Sequence, residues 1–572
     1  MHHFHFDVGG AAPESAGVST AVSADGSVTA AILATPDQPQ LAAALITSYL
    51  ENGRRVQPHP AGNVGYAISD RQQGSTSVVA APIGLQQIYW STRGDQLRLA
   101  SRPDRLLTST ADHRCAGPDA LFHYVYFHCL PGPASIFAEV SRLDGGSILT
   151  WDGRQTQVAR YWSPTFDDTA RMTEAEATAT LHRLLERAVR DCVGTTTRFG
   201  AFLSGGLDSS TVSGYAARVQ PGVPTISMGF DAQGYDEIEY ARLASRHFGT
   251  RALEYYVTAD DVAATLPEIA ASFAEPFGNS SAAAVFHCAR IAREHGLELL
   301  LAGDGGDELF GGNERYAKQL VFERYGQIPA LLRKGLLDPA ISAAAHVTRG
   351  FPIGKAHSYI EQANVPLPDR LQSYNFLHRH DPAEVFVPEL LAEVERSAPL
   401  QLLRAEYAAP KSRSAVDRML FLDWKFTLHD NDLVKVNTVC DLAGVRVAYP
   451  MLEQSLIDFS LRLPGDWKVR NGQLRWFYKR AMGGFLPQEI LQKTKHGFGL
   501  PFGVWTRTHA GLQRLSVECL QSLSARGYFR KEFLRGVQRM HAEGHAAYYG
   551  ELVWILMVLE LWLQRHMPNA RL

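Results

Sequence analysis

Up to about Pro164 the chain alternates short β-like runs with turn clusters: Ser77 to Ala81, Gln87 to Ser91, Gln96 to Ala100, and Ser147 to Trp151 behind Gly145 and Gly146. That pattern predicts strands, with a helix over Asp119 to His128 set between them. After Trp162-Ser163-Pro164 the period changes. Thr173 followed by Glu176 forms a capping box ahead of apolar residues at 181, 184, 185, 188, 189 and 192, so a helix opens a second domain. Beyond it, four buried-strand candidates (Phe199 to Leu203, Thr225 to Gly229, Leu253 to Val257, Leu297 to Gly303) alternate with helical patterns. Such alternation predicts an α/β parallel sheet. From about Tyr316 helices dominate, and the longest apolar run, Leu552 to Leu563, is broken by Glu560. It falls short of the roughly 18 residues of a membrane span, so a buried C-terminal helix is expected.

Length agrees with two domains, since 572 residues exceed what one core usually supports. A formal charge of -3 supplies no broad attraction for nucleic acid or an anionic membrane, and neither partner is expected. The N-terminus MHHFHFDVGG lacks the basic and apolar regions of a secretory signal, so the chain is expected in the cytoplasm. Its six cysteines include no C-x-x-C pair, which argues against a zinc site or a disulfide framework.

Three segments carry candidate chemistry. SGGLDSS (Ser204, Gly205, Gly206, Leu207, Asp208, Ser209, Ser210) follows an apolar strand and precedes a helix-compatible stretch. Glycines there let the backbone approach a ligand, and the unpaired N–H groups of a helix start favour phosphate oxygens, with the serine hydroxyls as further donors. No lysine follows at the spacing of a γ-phosphate-binding loop, whereas Asp208 suits a Mg²⁺ ligand at a pyrophosphate. LAGDGGDELFGG (Leu301 to Gly312) also ends a strand, and could bring Asp304, Asp307 and Glu308 to the same crevice. Alone, it reads equally as a solvated turn. In KTKHGFGLPFGVW (Lys493 to Trp505), a lysine near a Gly- and Pro-shaped loop can stabilise charge on a leaving pyrophosphate, although a lone lysine is more often a surface residue.

In this order the three motifs resemble the synthetase domain of the asparagine synthetase family. GYDEIEYARLASRHFGT (234–250) and GVRVAYPMLE (444–453) extend the resemblance, and IGLQQIYWSTRGDQLRLAS (83–101) with LDGGSILTWDG (143–153) is similar to the family's glutaminase domain. The resemblance implies an Ntn-hydrolase-like αββα glutaminase-type domain over 1–165. It implies a parallel-sheet PP-loop ATP-pyrophosphatase domain over 166–572, helical towards its C-terminus. It further implies ATP and Mg²⁺, with Asp208 and Asp307 on the metal, the SGGLDSS loop on the pyrophosphate, and Lys495 as catalytic lysine. Leu203 and Met228 would border the adenine, and Gly303 would stand beside the nucleotide. The family chemistry is attack of a carboxylate on the α-phosphate, then capture of the acyl-adenylate by an amine.

Departures from the family narrow the expectation. Glutamine-using members carry a cysteine directly after the initiator methionine; here His2 stands there and the first cysteine is Cys115. Asp304 replaces a family glutamate, Asn437 a family aspartate, and Arg446 and Ala448 a glutamate and an arginine, at positions that lie near the aminoacyl substrate in the family. Two branches lack the cysteine, β-lactam synthetases and lasso-peptide cyclases, and the former carry a tyrosine at the place of Asp304. HDNDLVKVNTVCDLAGVRVAYPML (429–452) and KHGFGLPFGVW (495–505) are similar to lasso cyclases and related bacterial synthetases, and that resemblance implies a lasso-peptide cyclase that adenylates an Asp or Glu side chain of a precursor peptide. The peptide's own N-terminal amine closes the ring, with Asp304 contacting or deprotonating it. A leader-removing protease and a leader-recognition protein are the expected partners. A ligase of small amino acids, or of ammonia and aspartate, and a non-catalytic scaffold are the other readings.

Overall fold

The computed structural model describes residues 5–8, 15–16, 18–33, 39–57, 64–107, 116–167, 171–230, 237–347, 351–493, 500–544 and 546–572. Residues 5–160 build two antiparallel sheets, of five and six strands. Period-2 alternation decides what each face meets. On strand Val28–Ile32, Val28, Ala30 and Ile32 pack on helix Pro39–Glu51, while Ala31 joins Phe6, Ile88, Leu97 and Leu99 between the sheets. The outer face of the five-stranded sheet presents Tyr89 and Ala100 to helix Pro118–Phe127. The layers therefore run helix, sheet, sheet, helix, as the expected αββα arrangement requires.

Helix Glu174–Val193 opens the second part, and its start is the expected capping box: Thr173 Oγ1 accepts from Glu176 N–H at 3.2 Å, and Thr173 N–H donates to the Glu176 carboxylate at 2.9 Å. A five-stranded parallel sheet follows, in the spatial order Arg251–Val257, Pro224–Phe230, Phe199–Phe202, Leu299–Leu301, Arg446–Ala448. Pro224–Phe230 is buried on both faces, as a strand covered by helices on either side must be. The last strand, Arg446–Ala448, comes from far along the chain and completes an edge that the pattern of apolar residues does not announce. Helices fill most of the remainder. Helix Ala546–His566 contains the expected C-terminal apolar run, buried with Trp554 and Trp562. Among the described residues, no helix is long and apolar enough to cross a membrane.

The two parts meet over a polar junction. Tyr89 O–H and Ile136 N–H donate to the buried Glu275 carboxylate at 2.9 and 2.7 Å, and Arg142 pairs with Asp430 at 2.5 Å. A cavity of about 270 Å³ lies along this junction, with Gln87, Tyr89 and Arg142 on one side and Glu275, Asp430 and Asn437 on the other.

Candidate functional site

The carboxyl ends of the central strands open onto a cavity of about 700 Å³, within the roughly 300–1,000 Å³ usual for small-molecule sites. Strand Phe199–Phe202 leads through Leu203 and the turn Ser204 to Gly206 into helix Leu207–Val219. Leu203 N–H donates to Ile226 O at 2.9 Å, which sets Leu203 and Met228 side by side as an apolar stretch of the wall. Gly205 has φ +70° and lies against Tyr240 and Ala241, where a Cβ would collide, so the turn can close only with glycine.

Ser204, Gly206, Leu207, Asp208 and Ser209 line the cavity. Ser210 and Gly205 do not. Ser210 is fully buried, since each residue along a helix turns by about 100° and the step from Ser209 carries the side chain into the core. Gly205 is spent on the turn.

The second expected loop reaches the same space, for Gly303, Asp304, Asp307 and Glu308 line this cavity with Asp208. Glycines permit the convergence. A Cβ at Gly303 would sit 2.8 Å from Ser209 N, one at Gly306 would overlap the Asp208 carboxylate, and one at Gly312 the Asp307 carboxylate. Asp208 and Asp307 both pair with Arg475, and Arg475 Nη2 lies 2.7 Å from Asp208 Oδ2. Arg475 adopts φ +53°, a left-handed conformation that costs a non-glycine residue about 1–2 kcal/mol. Two carboxylates meeting at one cation form a donor set that suits Mg²⁺, which takes hard oxygens and usually only one or two carboxylates, with phosphates and water completing its shell. Among the described residues no cluster of three or more His, Cys, Asp or Glu side chains offers a metal cage of its own.

Asp304 stands in a different setting. Burial, with the Asp432 carboxylate nearby, pushes its carboxyl up to about 6, against the opposing pull of Lys435. Lys435 donates to Asp432 at 2.6 Å. Burial by itself would depress this ammonium, yet Asp432 and Asp304 hold it above its usual value. Asp304, Asp432 and Lys435 thus form an acid–base group on the cavity wall that can accept or release a proton near neutral pH. On another side, Lys493 donates to Glu237 at 2.9 Å and lies 4.4 Å above the Tyr240 ring, beside the Ser204 to Gly206 turn.

Lys495 lies outside the described residues. Asn437, Arg446 and Ala448 are not part of the larger cavity's wall: Asn437 faces the 270 Å³ junction cavity, where its amide donates to Leu85 O at 3.1 Å, and Arg446 is exposed on the edge strand. Of the four departures only Asp304 lines the larger cavity. Sequence reasoning missed Asp432, Lys435, Arg475 and Lys493, which reach the cavity from segments far from the glycine loops.

A family model described as asparagine synthase matches residues 180–564, and one described as a glutamine amidotransferase domain matches residues 42–162. Glutamine-hydrolyzing asparagine synthetase 1 of Bacillus subtilis is similar to this chain, 25% identical over 501 residues that cover 85% of this chain and 76% of the relative. Glutamine-hydrolyzing asparagine synthetase 3 of the same organism is 21% identical over 485 residues, covering 79% and 69%. The glutamine-hydrolyzing asparagine synthetase of Brassica oleracea is 23% identical over 275 residues, covering 46% and 42%.

Proposed function

The chain belongs to the asparagine synthase family, and we propose that it is an ATP-dependent, AMP-forming C–N ligase that closes a macrolactam ring in a lasso peptide. The observation that carries the ligase part is the convergence of Asp208 and Asp307 at one point of the 700 Å³ cavity, with the acid–base group of Asp304, Asp432 and Lys435 in the same wall. In this reading residues 1–165 are a glutaminase-type domain without its nucleophile, and residues 166–572 perform the chemistry.

ATP binds with its adenine along Leu203 and Met228 and its β- and γ-phosphates over the turn and the start of helix Leu207–Val219, where the helix dipole and free N–H groups favour anions. Asp208 and Asp307 would hold Mg²⁺, which would supply positive charge against the departing pyrophosphate. Arg475 then pairs with phosphate rather than with the two carboxylates, and Lys493 adds positive charge beside the Ser204 to Gly206 turn; Lys495 is proposed as the catalytic lysine. An Asp or Glu side chain of the precursor peptide attacks the α-phosphorus, forming an acyl-adenylate and releasing pyrophosphate. The peptide's N-terminal amine attacks the acyl carbon. Asp304 takes the proton that this nitrogen must lose, with Lys435 and Asp432 sharing the charge, and AMP departs. Holding amine and adenylate together supplies the effective concentration that ring closure needs.

His2 in place of a cysteine, and the absence of cysteine before Cys115, support an internal amine rather than ammonia from glutamine. Asp304 supports a peptide amine over the β-lactam-forming alternative. A leader-removing protease and a leader-recognition protein are proposed as partners. The test supplies the purified chain with ATP, Mg²⁺, a precursor peptide and its protease. The expected result is AMP and a peptide lighter by one water; AMP formed only with free aspartate and ammonia would replace the lasso reading by the small-substrate one.

A further inference from the structure

The acid–base group is held from behind by the N-terminal sheets, through one irregular stretch of helix. Trp424–Asp432 is wound as a π-helix, closed by Leu433 N–H donating to Leu428 O, and passes directly into helix Leu433–Leu442. The wider turn of the i→i+5 repeat brings residues five apart towards the same side, whereas an α-helix separates them by about 140°. Lys425 and Asp430 are such a pair, with Lys425 Nζ 3.3 Å from Asp430 Oδ2. Both point to the N-terminal part, where Lys425 also pairs with Asp144, and Asp430 with Arg142 at 2.5 Å. His429 lies against Gly84, at a distance that leaves no space for a Cβ. Arg142, Lys425 and Asp430 are almost wholly buried. Buried ions this well matched fix a geometry, because removing one leaves the others unpaired in a medium of low dielectric.

The opposite face of the same stretch reaches the nucleotide cavity. Trp424 Nε1 donates to Glu308 O at 2.8 Å, on the short helix that carries Asp307, and Asn431 accepts from Asn279 at 2.7 Å. Asp432 and Lys435 follow within one turn. We infer that the N-terminal part is a positioning clamp: Arg142 and Asp144 hold Trp424–Asp432 in its π-helical register, and that register sets Asp432 and Lys435 against Asp304. Released from the clamp, the stretch relaxes towards α-helical winding and turns Asp432 and Lys435 out of place. This role needs no nucleophile at position 2. It rests on the reading of Asp304, Asp432 and Lys435 as the group that handles the amine.

The test uses the full chain with Arg142→Ala, Arg142→Lys and Asp144→Asn. Asp144 is less deeply buried than Arg142, so Asp144→Asn loosens the clamp at a smaller cost to folding than Arg142→Ala. Hydrogen exchange by mass spectrometry reads the clamp without any substrate. Peptides covering 424–436 are expected to exchange about tenfold faster or more in Asp144→Asn and Arg142→Ala, with the strands at 199–202 and 299–301 unchanged and Arg142→Lys close to wild type. In the AMP-forming assay, kcat is expected to fall about tenfold while KM for ATP stays the same, and Arg142→Lys recovers most of the loss. Exchange at 424–436 unchanged in Asp144→Asn and in any folded Arg142→Ala overturns the inference, as does a uniform rise over the whole chain, or a loosened segment with unaltered kcat. If the wild type forms no AMP, the ligase reading falls, and the exchange result still decides the clamp.

Discussion

The junction between the two parts and the 700 Å³ cavity both concentrate charge, and they dispose of it in opposite ways. At the junction the cations are met by carboxylates: Arg142 and Lys425 face Asp430 and Asp144, and His429 Nδ1–H donates to Asp430. Burial alone would raise the Asp430 carboxyl, yet Arg142, Lys425 and His429 together hold it well below the ordinary carboxylate range. The cavity wall, by contrast, carries Asp208, Asp304, Asp307, Asp432 and three glutamates against Lys435, Arg475, Lys479 and Lys493. An anionic wall repels a triphosphate unless further cations enter with it, which is the electrostatic reason to propose Mg²⁺ there. Paired charge at the junction serves geometry, and the excess in the cavity is left for ligands.

Removing a cavity carboxylate should cost activity far more than stability. Asp208→Ala and Asp307→Asn are each expected to lower AMP formation by about 10²-fold or more, the scale of losing one preorganised electrostatic contact, with the melting temperature little changed; pyrophosphate release and differential scanning calorimetry check this. The junction should respond the other way. Asp430→Ala strands the Arg142 and Lys425 charges, and a loss of about 3–5 kcal/mol is expected, read as a lower midpoint in urea. If both sites lose stability and activity equally, the distinction between them fails.

A carboxyl raised to about 6 should burden the fold. The Asp304 carboxyl is raised above its unfolded value, so the folded state binds the extra proton between about pH 4 and 6 and loses stability as pH rises through that window. Asp304→Asn removes this burden and is expected to stabilise the chain by about 1 kcal/mol at pH 7–8, after screening at the cavity mouth, and not at pH 4. Melting curves at the two pH values check it. The same substitution should abolish a rise in kcat/KM through about pH 6 in the wild type. The smallest effect is expected far from both regions: Thr173→Ala removes the capping box and costs about 1 kcal/mol, with AMP formation unaltered and a lower melting temperature as the readout.

Local patterns announced those features whose signal lies in a few adjacent residues. Strands Gln96–Ala100 and Ser147–Trp151 occur at the expected residues, and Thr173 caps its helix as its spacing with Glu176 requires. The glycine turns after Phe199–Phe202 and Leu299–Leu301 announced the ends of the strands that face the cavity. Strand Arg446–Ala448, only three residues long and on an edge, carries no alternation to read. Arg475 and Lys493 look like surface cations until topology brings them to Asp208 and Glu237. The π-helical register of Trp424–Asp432 was equally silent, because it is fixed by Arg142 and Asp144, almost three hundred positions earlier in the chain.

The central proposal is that a carboxylate of the substrate attacks the α-phosphorus of ATP in the cavity shared by Asp208 and Asp307. Oxygen-18 placed in the side-chain carboxylate of the precursor's ring-forming Asp or Glu tests it most directly. The account predicts one labelled oxygen in the AMP recovered by mass spectrometry, with the yield of labelled AMP about 10²-fold lower for Asp208→Ala; ADP as the only nucleotide product, or unlabelled AMP, would contradict it.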